Sequence, residues 1–355
     1  MKIDKNSPLP RYYQLMSIIK RKASRLKAGD KIDTVVKLCA KYKLSKATVE
    51  KAISELVKQN ILVSQVGRGT FVQSSTYREK QSYNKNVGLF LNSSYSQGSS
   101  KSGNIGFYGD LLEKLHEFLN KENFNVKHYF LKDGNLSKLI LENDALKNML
   151  GAIFIGTYSG DNKALFKTIP SVFVDCEINN RNTISIVGKN VSGGKEATRY
   201  LISLGLRKIG FIGYPHPNYK LRHQGYCEAL NSAKIAINNK IVWFDHRKAN
   251  EDLRKTPSIV DALFCCADGI TVRVVNSLHK NGINIPKDIS VISYDDTDIL
   301  THIEPSITSI SVDRDEMAIK AIDALQKMIK KEIKTGEPIE VSTKLIVRNS
   351  TKQEE

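Results

Sequence analysis

The sequence predicts a multidomain protein: a small helical domain closed by a β-hairpin, then a larger two-lobed α/β domain with parallel sheets. Three observations carry this. The chain has 355 residues, more than one ordinary core holds. Its charge is segregated: residues 1–80 hold 18 Lys/Arg against 6 Asp/Glu, so +12 of the chain's +17 sits there. The apolar period also changes, from helical in the first part to short β-type runs alternating with helical stretches from Val87 onward. A charge-dense small domain on a nearly balanced large one implies a polyanionic partner for the small domain alone.

The first helix is "PRYYQLMSIIKRKASRL", opening on Pro10, which a first turn accepts, with apolar residues through Leu15, Ile18, Ile19 and Leu26. "TVVKLCAKY" follows, with Val35, Leu38, Cys39 and Tyr42 at helical spacing after a Thr34 cap. Only "KLS" separates it from the third helix, Ser45 to Gln59, where Val49, Ala52, Ile53, Leu56 and Val57 form one stripe and Ser45 is the N-cap. The runs "ILVSQV" and "TFVQ" around "GRG" then read as a hairpin whose tip needs glycine for positive φ. Three helices, a short turn and a hairpin make a winged helix-turn-helix. The third helix has the size to enter a major groove, with Lys46, Thr48 and free N–H groups at its start facing phosphate and base edges. Gly67 and Gly69 allow close backbone approach, placing Arg68 against a neighbouring groove or phosphate. The candidate DNA-contacting set is Thr34, Lys37, Ser45, Lys46, Thr48, Lys51, Gly67, Arg68 and Gly69, and the partner is double-stranded DNA.

"PLPRYYQL", "LSKATVEKAISEL" and "GRGTFV" together resemble the GntR-type DNA-binding domain over residues 8–72. Two positions where that family carries arginine hold Lys46 and Glu50, and Val36 stands at a position often basic. Lysine and glutamate do not reproduce the bidentate guanine contact of arginine, so the resemblance implies DNA binding but not the family's operator sequences.

Residues 73–86, "QSSTYREKQSYNKN", are polar, mixed in charge and without apolar period, as a linker is. The domains are then 1–76, a linker at 77–86, and 87–351. "SSYSQGSSKSG" at 93–103 reads as a surface loop. Beyond the linker, "VGLFL", "GAIFIG", "SVFVD", "ISIVG", "KIGFIGY", "KIVWF", "DALFCC" and "ISVISYDD" alternate with helical patterns, the mark of parallel sheets covered on both faces. These are too many strands for one small sheet, so two α/β lobes are expected, with ligands bound beyond the strands' carboxyl ends in a cleft. Asp175 ends "SVFVD", where a strand-end carboxylate can accept hydrogen bonds from a ligand's hydroxyl groups.

"GGKEATRYLISLGLRKIGFIG", "RHQGYCEAL", "IPKDISVISYDDT…PSITSI" and "TKLIVRNST" resemble the LacI/GalR-type effector domain across roughly residues 87–351. That family is similar to periplasmic sugar-binding proteins, and the combination here is similar to arabinose-type repressors. The resemblance implies two lobes, three crossovers, a homodimer and a small polar effector held between the lobes, most simply a monosaccharide or sugar derivative. It places Arg222 as the residue that forks across effector oxygens and Asp295 as a strand-end ligand carboxylate. It also puts Tyr108 and His246 in loops facing the cleft, where they stack on an apolar sugar face. Asp268 reads as a helix cap. Ala267 stands where the family has an amide, and Lys189 where it has an aspartate, which implies a different or more anionic effector.

Enzymatic motifs are missing: no H-E-x-x-H, G-x-S-x-G or G-x-x-x-x-G-K-[ST] occurs. Asp295, Asp296 and Asp298 resemble a metal cluster in composition, but a strand end followed by a cap explains them. No cofactor and no metal is expected. Five cysteines without a C-x-x-C pair suit a reduced, cytoplasmic setting, and no apolar run reaches the roughly eighteen residues of a membrane helix. The reading is a ligand-controlled transcription regulator, a repressor. The alternative, a sugar receptor without regulatory DNA binding, leaves the basic N-terminal domain unexplained.

Overall fold

The computed structural model describes residues 3, 11–23, 26–58, 61–65, 67–73, 85–92, 105–131, 149–158, 169–178, 182–333 and 335–352. Pro10, Gln59, residues 77–84 of the expected linker and the 93–103 loop lie outside them. The chain forms two compact units, Met1–Lys85 and Asn86–Glu355.

In the first unit, α1 (Arg11–Ala23), α2 (Val35–Tyr42) and α3 (Lys46–Lys58) precede an antiparallel hairpin of β1 (Leu62–Gln65) and β2 (Gly69–Val72). The three stripes meet in one core, with Leu15, Ile19, Leu38, Val49, Ala52, Leu56, Leu62 and Val72 buried. Both expected caps form: Thr34 Oγ1 accepts from Lys37 N at 3.3 Å, and Ser45 Oγ accepts from Thr48 N at 3.3 Å. The turn between α2 and α3 closes on Lys43, left-handed at φ 53°. Leu26 departs from expectation. It lies beyond α1 and is 42% exposed, because the chain turns there: Leu26 N donates to Ala23 O, and Asp30 Oδ2 accepts from Lys27 N at 2.7 Å.

The second unit holds two six-stranded sheets. The first lobe contains β3 (Asn86–Asn92), α4 (Ile105–Lys121), β4 (Asn125–Leu131), β5 (Gly151–Ile155), β6 (Ser171–Val174) and β7 (Thr183–Gly188). The second contains α5 (Asn190–Ser203), β8 (Ile209–Ile212), α6 (Pro217–Ser232), β9 (Val242–Trp243), α7 (His246–Lys255), β10 (Ala262–Cys265), α8 (Asp268–Lys280), β11 (Ser290–Asp295) and β12 (Thr308–Val312). α9 (Arg314–Ile329) and β13 (Ile339–Val341) return to the first lobe, and β14 (Thr343–Ile346) completes the second, its one antiparallel strand. The strand orders are β13-β7-β6-β5-β3-β4 and β14-β12-β11-β10-β8-β9.

The chain therefore crosses between lobes three times, at Lys189, Asp313 and Ser342, as the resemblance implied. The crossings are tied together: Lys189 N donates to Val341 O at 3.1 Å, and Asp313 N to Ser342 O at 3.4 Å. Central strands such as β5 and β6 are buried along their whole length, which is why they read as continuous apolar runs. β4, β12, β13 and β14 were not among those runs. β4 and β14 are edge strands with one side in solvent and carry no unbroken apolar stretch, and "KIVWF" shrinks to two paired residues. α5 and α6 approach so closely that a Cβ on Gly194 would stand 2.2 Å from the Arg222 carbonyl oxygen, and one on Gly225 2.1 Å from that of Val191. Glycine at both positions fixes the backbone that carries Arg222.

Candidate DNA-binding face and effector cleft

The N-terminus of α3 is exposed and basic. Lys46 stands 3.8 Å from Glu50 one turn later, with side chains 77% and 53% exposed. Lys51 lies on the same helix with its ammonium 4.2 Å from the centre of the Tyr12 ring, which steers a long side chain that is otherwise free to wander. Ser45 and Thr48 are spent locally: their hydroxyls bond each other at 2.8 Å while Ser45 caps the helix. Thr34 and Lys37 are exposed at the start of α2, and Val36 between them is 77% exposed. At the hairpin tip Gly67 and Gly69 have φ of 72° and 114°, and Arg68 between them is exposed. A Cβ on Gly69 would meet Lys31 Cε at 2.5 Å, so glycine there serves both the turn and the seat of a lysine absent from the expected set.

In the large unit the effector candidates fall into one buried network and one outlier. Asp175 follows β6 in a left-handed conformation, φ 59°, and is 3% exposed. Tyr108 donates its hydroxyl to Asp175 Oδ2 at 2.7 Å, and Asn218 donates Nδ2 to Oδ1 at 2.8 Å. Tyr108 sits in the first turn of α4 rather than in a loop, and it uses its hydroxyl rather than a ring face. Asn218 belongs to α6, so the Asp175 carboxylate joins the two lobes. A second bridge runs from Thr157 Oγ1 to His216 Nε2 at 2.6 Å.

One helical turn beyond Asn218, Arg222 is 1% exposed. Its Nε donates to Asn190 Oδ1 at 2.8 Å and its Nη1 to the Cys266 carbonyl at 2.6 Å, while its plane lies 3.6 Å from the centre of the Tyr294 ring. Nη1 is 3.1 Å from Asp295 Oδ1, an ion pair whose angles are not those of a hydrogen bond. Asp295 is 1% exposed and, with Asp296, left-handed at φ 101° and 55°. Such backbone costs energy that a functional strand end can justify.

The electrostatics follow from burial. Desolvation pushes the Asp175 carboxyl upward against the pull of Arg222, Tyr108 and Asn218, and pushes Asp295 well above the usual carboxylate range despite Arg222. Burial opposes the charge on Arg222 too, yet Asp295, Tyr294 and Asp175 outweigh it and hold the guanidinium cationic. Among the described residues the Tyr294 hydroxyl, Asn190 Nδ2 and both Asp295 oxygens are buried without a hydrogen bond. Native interiors rarely leave such groups unmatched.

His246 is the outlier. It is the first residue of α7, not a loop residue; Asp245 caps that helix by accepting from Arg247 N at 2.9 Å, which is why the helix starts there. Its ring bonds the Tyr214 hydroxyl, and burial lowers its pKa. Asp268 also departs from expectation. It opens α8 rather than capping it, and its carboxylate takes Ser293 Oγ at 2.7 Å, Thr297 N at 2.6 Å and Thr297 Oγ1 at 2.8 Å. Burial raises it to about 6. Ala267 is buried and Lys189 exposed.

Beside Asp295 lies a cavity of about 1250 Å³ whose walls include Phe107, Asp110, Asp268, Arg273 and Arg314. Arg314 was not among the expected residues. Its Nε pairs with Asp110 of α4, while Nη1 donates to Asp295 O at 2.8 Å and Nη2 to Asp296 O at 3.3 Å. One side chain at a crossover thus ties the first lobe to the strand end that carries Asp295. Asn218 was legible in principle, four residues before Arg222 and so on the same helix face. Arg314 was not, since its partner Asp110 is 204 residues away in sequence.

Residues 13–72 match the family of bacterial regulatory proteins termed gntR, and residues 198–351 match the periplasmic binding protein-like domain. A transcriptional repressor of Histophilus somni named PurR is 31% identical over 197 residues, 53% of this chain and 59% of that protein. The chain thus spans about 59% of the length of that relative. The Pasteurella multocida PurR is 24% identical over 342 residues, covering 92% of this chain and 96% of the relative. A ribose operon repressor of Haemophilus influenzae is 31% identical over 171 residues, 46% of this chain and 52% of that one. Among solved structures, the regulator CelR in complex with cellobiose superposes with a TM-score of 0.64 at 21% identity, covering 86% of this chain and 91% of that one. A LacI-type regulator from Alkaliphilus metalliredigens complexed with D-xylulofuranose gives 0.62 at 24% identity, covering 76% and 100%. These two share the fold.

Proposed function

From a chain that joins a gntR-type helix-turn-helix domain to a periplasmic-binding-protein-like domain, we propose a transcriptional repressor whose grip on operator DNA is set by a small effector. DNA binding resides in residues 1–76, through the N-termini of α2 and α3 and the Gly67–Gly69 hairpin tip. The effector is a monosaccharide or sugar derivative held between the lobes by Asp175, Arg222 and Asp295, with Tyr108 and Asn218 orienting Asp175. His246 bonds Tyr214 rather than this network and stands at most at its margin. The protein acts as a cytoplasmic homodimer, because operator half-sites require a two-fold reader. It performs no catalysis and needs no cofactor.

The observation that carries this reading is the buried Asp175–Arg222–Asp295 network in the same chain as a basic winged helix. The unmatched carboxylate oxygens of Asp295, which borders the cavity, are acceptors that a polyhydroxylated ligand can satisfy. The test is a thermal-shift panel of monosaccharides and sugar phosphates on the full chain. A true effector at a hundredfold excess over its Kd stabilises by about 2.7 kcal/mol and raises Tm accordingly. A panel in which no sugar moves Tm or alters DNA binding would contradict the effector assignment.

A further inference from the structure

We propose that Glu50 reads a base, selecting cytosine in the operator. The inference rests on residues 1–76 being the DNA-binding domain. α3 buries Val49, Ala52, Ile53 and Leu56 in the core and leaves Lys46, Ala47, Glu50, Lys51 and Ser54 exposed. Glu50 is the one acid among those exposed residues, in a segment whose net charge is +12.

A carboxylate on a face that meets DNA is repelled by the phosphates unless a donor receives it. The major groove offers two base donors. Adenine N6 has the N7 acceptor beside it, which matches an amide and opposes a carboxylate. Cytosine N4 stands without a neighbouring acceptor on its own edge and matches a carboxylate. Glu50 is open to that contact: its one ion-pair neighbour among the described residues, Lys46, is 3.8 Å away, beyond hydrogen-bond length, and both side chains are largely exposed. Four residues of helix advance about 6 Å, so Lys46 and Glu50 reach base pairs one or two steps apart.

The test uses the full-length protein, the Glu50→Ala and Glu50→Gln variants, and selection from a randomised duplex library followed by titration of defined duplexes. The wild type is expected to select a cytosine whose replacement weakens binding about 5- to 150-fold. Glu50→Ala is expected to leave that position unspecified, and Glu50→Gln to move its preference to adenine, whose N6 and N7 an amide matches. Identical base preferences in all three proteins would overturn the proposal. So would a change confined to overall affinity, which is what loss of the Lys46 tether or of a repelled charge produces. Failure of all three to select any sequence would overturn the DNA-binding reading on which it rests.

Discussion

Arg222→Ala is expected to destabilise the large domain by about 3–5 kcal/mol and to abolish its response to effector. The guanidinium is 1% exposed and is the cation beside Asp295 and near Asp175, two carboxylates that are themselves buried. Removing it strands both charges and empties the space over the Tyr294 ring. Their raised pKa values soften the blow, since each carboxyl can take up a proton rather than remain buried as an anion. Loss of response in this variant alone therefore does not separate binding from folding. Asp295→Asn does. It keeps the volume, the left-handed backbone and the neutral hydrogen-bonding groups, while removing the charged acceptor. Effector affinity should fall about ten- to hundredfold, the worth of a charged hydrogen bond. The loss of stability should be smaller than in Arg222→Ala, because the guanidinium keeps Asn190, the Cys266 carbonyl and the nearby Asp175 charge. DNA affinity without effector should stay close to wild type. If Arg222→Ala unfolds like wild type and Asp295→Asn titrates effector normally, this network is not the effector site.

DNA affinity is expected to fall steeply with salt. The basic excess of the chain lies mainly in residues 1–80, and log K should decline with log salt by about 0.9 for each phosphate neutralised. With about six such contacts, affinity drops on the order of a thousandfold between 50 and 200 mM salt. Lys46→Ala should cost about 1–3 kcal/mol on the preferred duplex if the ammonium meets a base edge, and less, with a slope reduced by about one, if it meets phosphate. Its side chain is 77% exposed, so the loss should appear in binding and not in stability. A complex insensitive to salt would contradict this account of the first unit.

The parts legible in the sequence were those with local causes. α2 and α3 announced themselves through a cap and a stripe, and both caps form as read. The hairpin followed from two glycines, and both adopt positive φ. Central strands were legible because burial on both faces leaves an unbroken apolar run. Edge strands β4 and β14 were not, because one side meets solvent. At the cleft, Arg222, Asp295 and Asp175 meet in one network, whereas Tyr108 and His246 occupy helix starts rather than the loops that the resemblance implies. Arg314 was missed, since only the second crossover brings it to Asp110 and to the carbonyl of Asp295. Its importance is a property of topology and leaves no mark within a few residues of its own position.

That topology supplies the element which effector binding can bias. The lobes are joined by three short crossings and held together by Asp175–Asn218, Thr157–His216 and Arg314 contacts, so closing or opening them exchanges discrete bonds. An effector shifts operator affinity only by its differential affinity for the two arrangements, and the coupling is reciprocal. The measurement that tests the whole account is therefore effector affinity of the intact protein with and without its selected duplex. A change of about 5- to 150-fold is expected, equal to the factor by which effector alters DNA affinity. Equal effector affinities in the two titrations would mean that the two domains share a chain and nothing more.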